Sequence, residues 1–232
     1  MKFIISRYNP EIDQDPYDQT LELDDALLFP DSMLLDALHL LREQDPSLAY
    51  RSSCQEGVCG SDGMNVNGKN RLSCVTSLSE LGQTVTLRPL PGLPIIKDLI
   101  IDMTLFYKQY KAVKPYLESL PLDLEKEHLQ SPEERAKLDG SYECIMCGCC
   151  STSCPSFWWN PDQFAGPAAL LAAKRFVVDS RDIKHIDRLK ELDSATTTFR
   201  CRHIQNCTDA CPKGLVPSRA IQELKSIMVK DL

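Results

Sequence analysis

The sequence predicts an α+β chain in two parts, strand-rich over residues 1–100 and helical over residues 101–232. Three observations carry that expectation. Phe3-Ile4-Ile5-Ser6-Arg7-Tyr8 and Thr84-Val85-Thr86-Leu87-Arg88 have the alternation and β-branched content of strands. From Ile95 onward Leu99, Met103, Phe106, Tyr107 and Tyr110 recur at helical spacing. Eleven cysteines fall into three spaced groups, one in the first part and two in the second.

In chain order, the opening strand is followed by a proline- and aspartate-rich turn from Asn9 to Tyr17, with Gln19-Thr20-Leu21-Glu22-Leu23 as its antiparallel partner. Asp31 or Ser32 is placed to cap a helix through Met33, Leu34, Leu35, Ala37, Leu38 and Leu41, whose apolar residues recur at three and four. Pro89, Leu90 and Pro91 end the strand at Thr84–Arg88, and the stretch from Pro89 to Pro94 reads as a hinge before the helical part. Residues Pro115 to Pro132 are polar, charged and punctuated by proline, as expected of a surface linker. Ala168–Val178 and Pro217–Met228 each carry one apolar face and are expected to be helices.

Composition narrows the class. A net charge of -7 with a sequence pI near 5.2 argues against nucleic-acid binding, which calls for a basic face. No run approaches the roughly 18 apolar residues that span a bilayer. The first residues alternate like a strand and show neither a secretory nor a transit signal, so the reading is a bacterial cytoplasmic protein; a processed chain would read the same. An odd number of cysteines, two of them adjacent at Cys149-Cys150, weighs against a disulfide framework. Zinc is the rival for any cysteine cluster, but it favours paired C-x2-C knuckles, whereas this chain has one long run and a degenerate copy.

That long run is Cys144-x2-Cys147-x2-Cys150-x3-Cys154-Pro155, the spacing of two-cluster bacterial ferredoxins. The copy is Cys201-x2-Ile204-x2-Cys207-x3-Cys211-Pro212, with isoleucine where the second cysteine belongs. In such runs the fourth cysteine ligates the other cluster. Cys144, Cys147, Cys150 and Cys211 therefore suit a [4Fe–4S] cluster, and Cys154, Cys201 and Cys207 one that is a ligand short, [3Fe–4S]. Isoleucine cannot ligate, and its apolar bulk closes the corner where a fourth iron would sit. The first group, Cys54-x4-Cys59-x2-Asp62-x11-Cys74, matches the plant-type [2Fe–2S] spacing with aspartate at the third ligand position; the rival reading keeps Asp62 off the iron, with water or another residue completing the site. Its glycines let backbone wrap closely and aim N–H groups at sulfur. Ten cysteines and Asp62 make eleven ligands, four plus four plus three, and leave only Cys149, expected to be a small buried thiol beside a cluster. A conductor of electrons follows from the ligand count.

Four stretches extend that reading: Arg51-Ser52-Ser53-Cys54-Gln55-Glu56-Gly57-Val58-Cys59-Gly60-Ser61-Asp62-Gly63, Arg88-Pro89-Leu90-Pro91, Cys150-Ser151-Thr152-Ser153-Cys154-Pro155-Ser156-Phe157-Trp158-Trp159-Asn160-Pro161, and Cys211-Pro212-Lys213-Gly214-Leu215. Over nearly the whole chain they resemble the iron–sulfur subunits of the succinate dehydrogenase/fumarate reductase family. Phe157-Trp158-Trp159-Asn160 and Asp62 look like its succinate dehydrogenase branch. The resemblance implies an N-terminal β-grasp ferredoxin domain, an all-α C-terminal ferredoxin domain, and a peripheral place on the cytoplasmic face of the bacterial inner membrane. It implies as partners an FAD-containing flavoprotein that oxidises succinate and two membrane-anchor subunits with haem b. This chain would hold no flavin and carry electrons through [2Fe–2S], [4Fe–4S] and [3Fe–4S] to ubiquinone. Carried over by motif position, Trp159 would donate its indole N–H to a quinone carbonyl, with Pro155, Ser156 and Ile204 lining the pocket and the other tryptophan packed. The family usually has histidine directly after the first cysteine of the last group. Here Arg202 stands there and His203 follows, which implies an electrostatic role for Arg202 and leaves His203 a candidate. Quinol:fumarate reductase and a free-standing ferredoxin remain the alternatives.

Overall fold

The computed structural model describes residues 1–29, 31–119 and 127–232. Among these, in chain order, run β1 (Lys2–Arg7), β2 (Tyr17–Glu22), α1 (Leu34–Gln44), β3 (Gly63–Val66), β4 (Lys69–Leu72), β5 (Thr84–Arg88), β6 (Ile95–Lys97), β7 (Ile100–Ile101), α2 (Thr104–Ala112), α3 (Pro132–Ala136), α4 (Cys149–Thr152), α5 (Pro155–Trp159), α6 (Gly166–Val177), α7 (His185–Leu192), α8 (Asn206–Asp209) and α9 (Pro217–Asp231). They form two units: Met1–Met103 with Ile145–Ser153, and Thr104–Cys144 with Cys154–Leu232. The second cysteine run, taken from sequence as part of the helical half, is thus shared between the two.

In the first unit the alternation at the N-terminus does what it predicts. Phe3 and Ile5 are fully buried and pair in register with Val85 and Leu87 of a parallel neighbour, also fully buried. The sheet order is β2-β1-β5-β3-β4, with every pairing except β1–β5 antiparallel. Leu34, Leu35, Ala37, Leu38 and Leu41 turn the apolar stripe of α1 inward, completing the expected β-grasp. Truncating Leu38 to alanine in such a site costs about 2–5 kcal/mol.

Details depart from the sequence reading in four places. Strand β2 starts at Tyr17, two residues early, so the register runs from Arg7 opposite Tyr17 to Lys2 opposite Glu22. Neither Asp31 nor Ser32 caps α1. Met33 holds that position, Asp36 accepts from the Met33 N–H at 2.8 Å, and the Ser32 hydroxyl accepts from Phe29 N–H at 3.0 Å. The glycine-rich stretch after Asp62 is a hairpin, β3–β4, turned at Asn67 (φ +50°) and Gly68 (φ +83°). Asn-Gly is the strongest short hairpin signal, and Met64, Val66, Leu72 alternate into the core beside it. Finally, helix does not begin at Ile95. Ile95 pairs with Ile101 in a second hairpin. Its turn residue Asp98 (φ +45°) is buried, accepting from the N–H groups of Tyr8 at 2.9 Å and Ala49 at 2.8 Å. β-Branched neighbours and a buried aspartate override the helical spacing, and only Phe106, Tyr107 and Tyr110 of that pattern lie in a helix.

The second unit is helical. α6 is alanine-rich, opens with Pro167 in its first turn, and is buried along nearly its whole length. It packs against α2, α7 and α9. In α9, Ala220, Ile221, Leu224 and Met228 form the buried stripe. Arg188 of α7 is buried, paired with Asp182 at 2.8 Å, and donates to the carbonyls of Lys114 at 2.6 Å and Tyr116 at 2.7 Å. The start of the stretch read as a linker is therefore tied down; its residues 120–126 lie outside the described residues. Its end is a helix start, since Ser131 and Glu134 form a reciprocal capping box. Among the described residues no helix is long and apolar enough to cross a membrane.

Candidate iron–sulfur sites

All eleven cysteines are free thiols. In the first unit, the chain between Cys54 and Gly60 turns three times through left-handed backbone, at Gln55, Gly57 and Gly60. That winding aims the N–H groups of Val58 (3.3 Å) and Cys59 (3.2 Å) at the Cys54 sulfur. Backbone N–H groups of Glu56, Cys59 and Val58 pull the Cys54 thiol down to about 7. The Ser61 N–H lies 3.5 Å from the Cys59 sulfur and its hydroxyl 3.2 Å away. The backbone donors around Cys54 stabilise its thiolate, the form that ligates iron.

Asp62 is buried, and its two carboxylate oxygens have different surroundings. Oδ2 accepts from the Cys74 N–H at 2.6 Å and the Ser73 hydroxyl at 3.0 Å. Oδ1 is buried with no hydrogen-bond partner. A buried unpaired carboxylate oxygen is costly, and a metal ion is one partner that would remove the cost. Burial first, then the Asp62 carboxylate, pushes the neighbouring Cys74 thiol up to about 12. Three thiols and a carboxylate are donors of the chemistry a [2Fe–2S] centre needs, and Cys74 would give up its proton to ligate iron. Ser61 and Ser73 give no signal in the cysteine spacing.

Of the second ligand set, Cys147 and Cys150 lie in the first unit and Cys144 and Cys211 in the second. Cys144 and Cys211 pack against one buried cluster of Leu171, Leu215 and Ala220. Cys149 is fully buried. It hydrogen-bonds the Cys147 sulfur, lowering the Cys147 thiol against the effect of burial, while its own thiol rises well above the ordinary range. Its carbonyl accepts from the side-chain amide of Asn70 at 3.1 Å.

In the second unit Cys154, Cys201 and Cys207 line one pocket with Pro155, Ser156, Arg202, His203 and Ile204. Burial, then the nearby Cys154 and Cys201, pushes the Cys207 thiol up to about 11; burial likewise raises Cys154. The gap in the cysteine pattern thus stands at the same pocket as the three thiols. Ile204 lines that pocket and is 51% exposed rather than sitting in the core. Left-handed backbone at His203 (φ +53°) and Gln205 (φ +72°) turns the chain there. Burial, then Lys225, lowers the His203 pKa. Lys225 donates to the Cys201 carbonyl at 2.9 Å, a contact without any sequence signal. Buried Ser156 donates to the Arg200 carbonyl at 3.2 Å.

Along α5 neither tryptophan enters the core of this chain. Phe157 is the residue that enters the core, fully buried, while Trp158 is 40% and Trp159 72% exposed. The five-residue helix starting at Pro155 buries Ser156 and Phe157, and Phe157 is its apolar anchor.

Residues 2–108 match the family described as 2Fe-2S iron-sulfur cluster binding domain, and residues 143–216 the 4Fe-4S dicluster domain. The succinate dehydrogenase iron-sulfur subunit of Coxiella burnetii (strain RSA 493 / Nine Mile phase I) is 56% identical over 100% of this chain and 98% of its own length. Succinate dehydrogenase (ubiquinone) iron-sulfur subunit 1, mitochondrial, of Oryza sativa subsp. japonica is 50% identical over 85% of this chain and 72% of its own. A chain in the structure of the Mycobacterium smegmatis Sdh1 complex in the apo form superposes with a TM-score of 0.84 at 25% identity, covering 99% of this chain and 95% of that one.

Proposed function

The chain belongs to the family of succinate dehydrogenase iron–sulfur subunits, and on that premise we propose that it conducts electrons, one at a time, from a succinate-oxidising flavoprotein to ubiquinone. When bound, the clusters supply the one-electron carriers. The chain's own residues hold, insulate and order them. Cys54, Cys59, Asp62 and Cys74 hold [2Fe–2S]; Cys144, Cys147, Cys150 and Cys211 hold [4Fe–4S] on the strength of their spacing. Cys154, Cys201 and Cys207 hold [3Fe–4S].

The observation that carries this reading is the second-unit pocket, where three thiols share a wall with Ile204. An aliphatic residue in place of a fourth sulfur is what a three-iron centre asks of its protein. Pro155, Ser156, Arg202 and His203 line the same pocket, and Trp159 stands exposed at the end of α5. An indole with an apolar face and one N–H suits a quinone carbonyl. Arg202 brings a guanidinium to the pocket wall, and burial, then Lys225, lowers the pKa of His203 beside it. Two exposed tryptophans on a short helix also suit docking to membrane-anchor subunits that carry haem b, on the cytoplasmic face of the membrane.

Redox titration of membranes containing the chain, with succinate as reductant and EPR as the readout, tests the proposal. Three centres reducible in sequence are expected, including the near-isotropic signal of an oxidised three-iron cluster. A chain with fewer than about nine irons in anaerobically protected protein overturns it.

A further inference from the structure

Gly60, buried between Cys59 and Asp62, takes φ +69°. A Cβ added there would lie 2.7 Å from the Cβ of Cys147, 2.9 Å from its Cα and 3.0 Å from the Ile145 carbonyl oxygen. Carbon atoms in contact sit about 3.5–4.0 Å apart, so the two chain segments touch with no room for a side chain. A second contact repeats the pattern, for a Cβ at Gly63 would meet the Cys147 carbonyl oxygen at 3.3 Å and the Cys149 sulfur at 3.4 Å. Buried Asn70 on β4 fixes the same seam laterally, donating to the Cys149 carbonyl at 3.1 Å and the Thr152 hydroxyl at 3.0 Å. Its own Oδ1 accepts from Asn65 at 2.9 Å, which holds the amide in that orientation. All of these residues belong to the first unit.

We propose that Gly60 is a positioning residue for electron transfer, setting the separation across which an electron passes from the centre held by Cys54, Cys59, Asp62 and Cys74 to the one held in part by Cys147. The inference rests on the functional reading above. One electron crosses, leaving the donor centre oxidised and the acceptor reduced, and no bond or proton is exchanged at Gly60. Because tunnelling falls exponentially with distance, a contact with no side chain between a ligand-bearing loop and a ligand of the next centre keeps the crossing short. Asn70 acts through Cys149, holding the second segment against the first.

The test uses the purified, assembled complex carrying Gly60→Ala, with Gly68→Ala as control. Gly68 has φ +83° with nothing within 4 Å of an added Cβ, so it suffers the backbone strain without the collision. The readout is the enhancement of spin relaxation that the reduced second centre imposes on the reduced [2Fe–2S] centre, alongside iron content and each centre's own spectrum. Wild type and Gly68→Ala are expected to show equal enhancement. Gly60→Ala is expected to lose much of it while keeping both centres. Equal enhancement in Gly60→Ala and Gly68→Ala overturns the inference. Where Gly60→Ala does not load its clusters, Asn70→Ala decides: loss of enhancement with both centres present supports the proposal, and wild-type enhancement overturns it. Wild-type protein lacking either centre would instead sink the functional reading itself.

Discussion

The cysteine loop of the first unit and the cysteine pocket of the second reach similar ends by opposite means. Around Cys54 and Cys59 the sulfurs are met by backbone N–H groups, and the carboxylate of Asp62 is split between a satisfied oxygen and an orphaned one. Around Cys154 and Cys207 burial dominates, the thiols are raised, and a single side chain, Ile204, marks the missing position. A site shaped by backbone is specified by where side chains are excluded or hydrogen-bonded. One shaped by burial is specified by which side chain stands at each position. The first kind should fail outright when altered, the second should change character.

Asp62→Ala is the sharpest way to break the contrast. The [2Fe–2S] centre is expected to be lost, read as two fewer irons per chain and loss of its EPR signal, while Asp62→Cys restores an all-thiolate spectrum. Removing the carboxylate also strands the Cys74 N–H and the Ser73 hydroxyl, which costs the cluster-free chain about 1–3 kcal/mol. Full iron content in the alanine variant would show that Asp62 is not a ligand. Ile204→Cys should instead convert rather than destroy: the near-isotropic three-iron signal disappears from oxidised protein as a fourth iron is taken up. A persisting three-iron signal in that variant would mean the vacancy is set by the surrounding backbone, and the proposed difference between the two sites would vanish.

Much of this was legible because ligand spacing and strand alternation are local patterns. The plant-type spacing located the loop, the duplicated run located the pocket, and Phe3, Ile5, Val85 and Leu87 fell where alternation put them. What escaped was decided by partners distant in sequence. Asp98 is held by Tyr8 and Ala49, so the segment after Ile95 is a hairpin despite its helical spacing. Asn70, Ser73 and Lys225 serve the sites through hydrogen bonds that no motif encodes. The Asn67-Gly68 turn and the Ser131–Glu134 capping box were readable signals, hidden inside stretches taken for a cluster loop and a linker.

Along α5 the contrast can be sharpened at adjacent positions. Phe157→Ala empties a fully buried site and should cost about 3–5 kcal/mol, measured by denaturant unfolding of the isolated subunit or by loss of assembled complex. Trp159→Ala changes an exposed side chain and should shift stability by no more than about 0.5 kcal/mol. Quinone reduction should nevertheless fall in the Trp159 variant while all three cluster signals remain. An unstable Trp159→Ala chain would mean that its ring is structural.

A smaller effect separates the frame of the first site from the site itself. Asp45 accepts from the Ser47 hydroxyl at 2.6 Å, from Arg7 at 2.8 Å and from Gln19 at 3.0 Å, and these bonds, Ser47 first, hold its carboxyl well below the usual carboxylate range. Arg7 also lies 3.1 Å from Asp98, so the cluster ties the ends of β1 and β2 to the β6–β7 turn. A folded pKa below the unfolded value of about 3.9 contributes stability that is fully present above that pH and is lost as pH falls through the folded pKa. Hydrogen exchange in β1 and β5 should therefore accelerate below about pH 4 in the wild type. In Asp45→Asn the pH dependence should be flatter, with lower protection already at neutral pH and α6 and α9 unaffected by the substitution. Because Asp45 is partly exposed, the change should be modest. An Asp45→Asn chain whose β1 and β5 amides keep the wild-type acid response would assign that response to other carboxylates, and would leave the sheet under the first cysteine loop independent of this cluster.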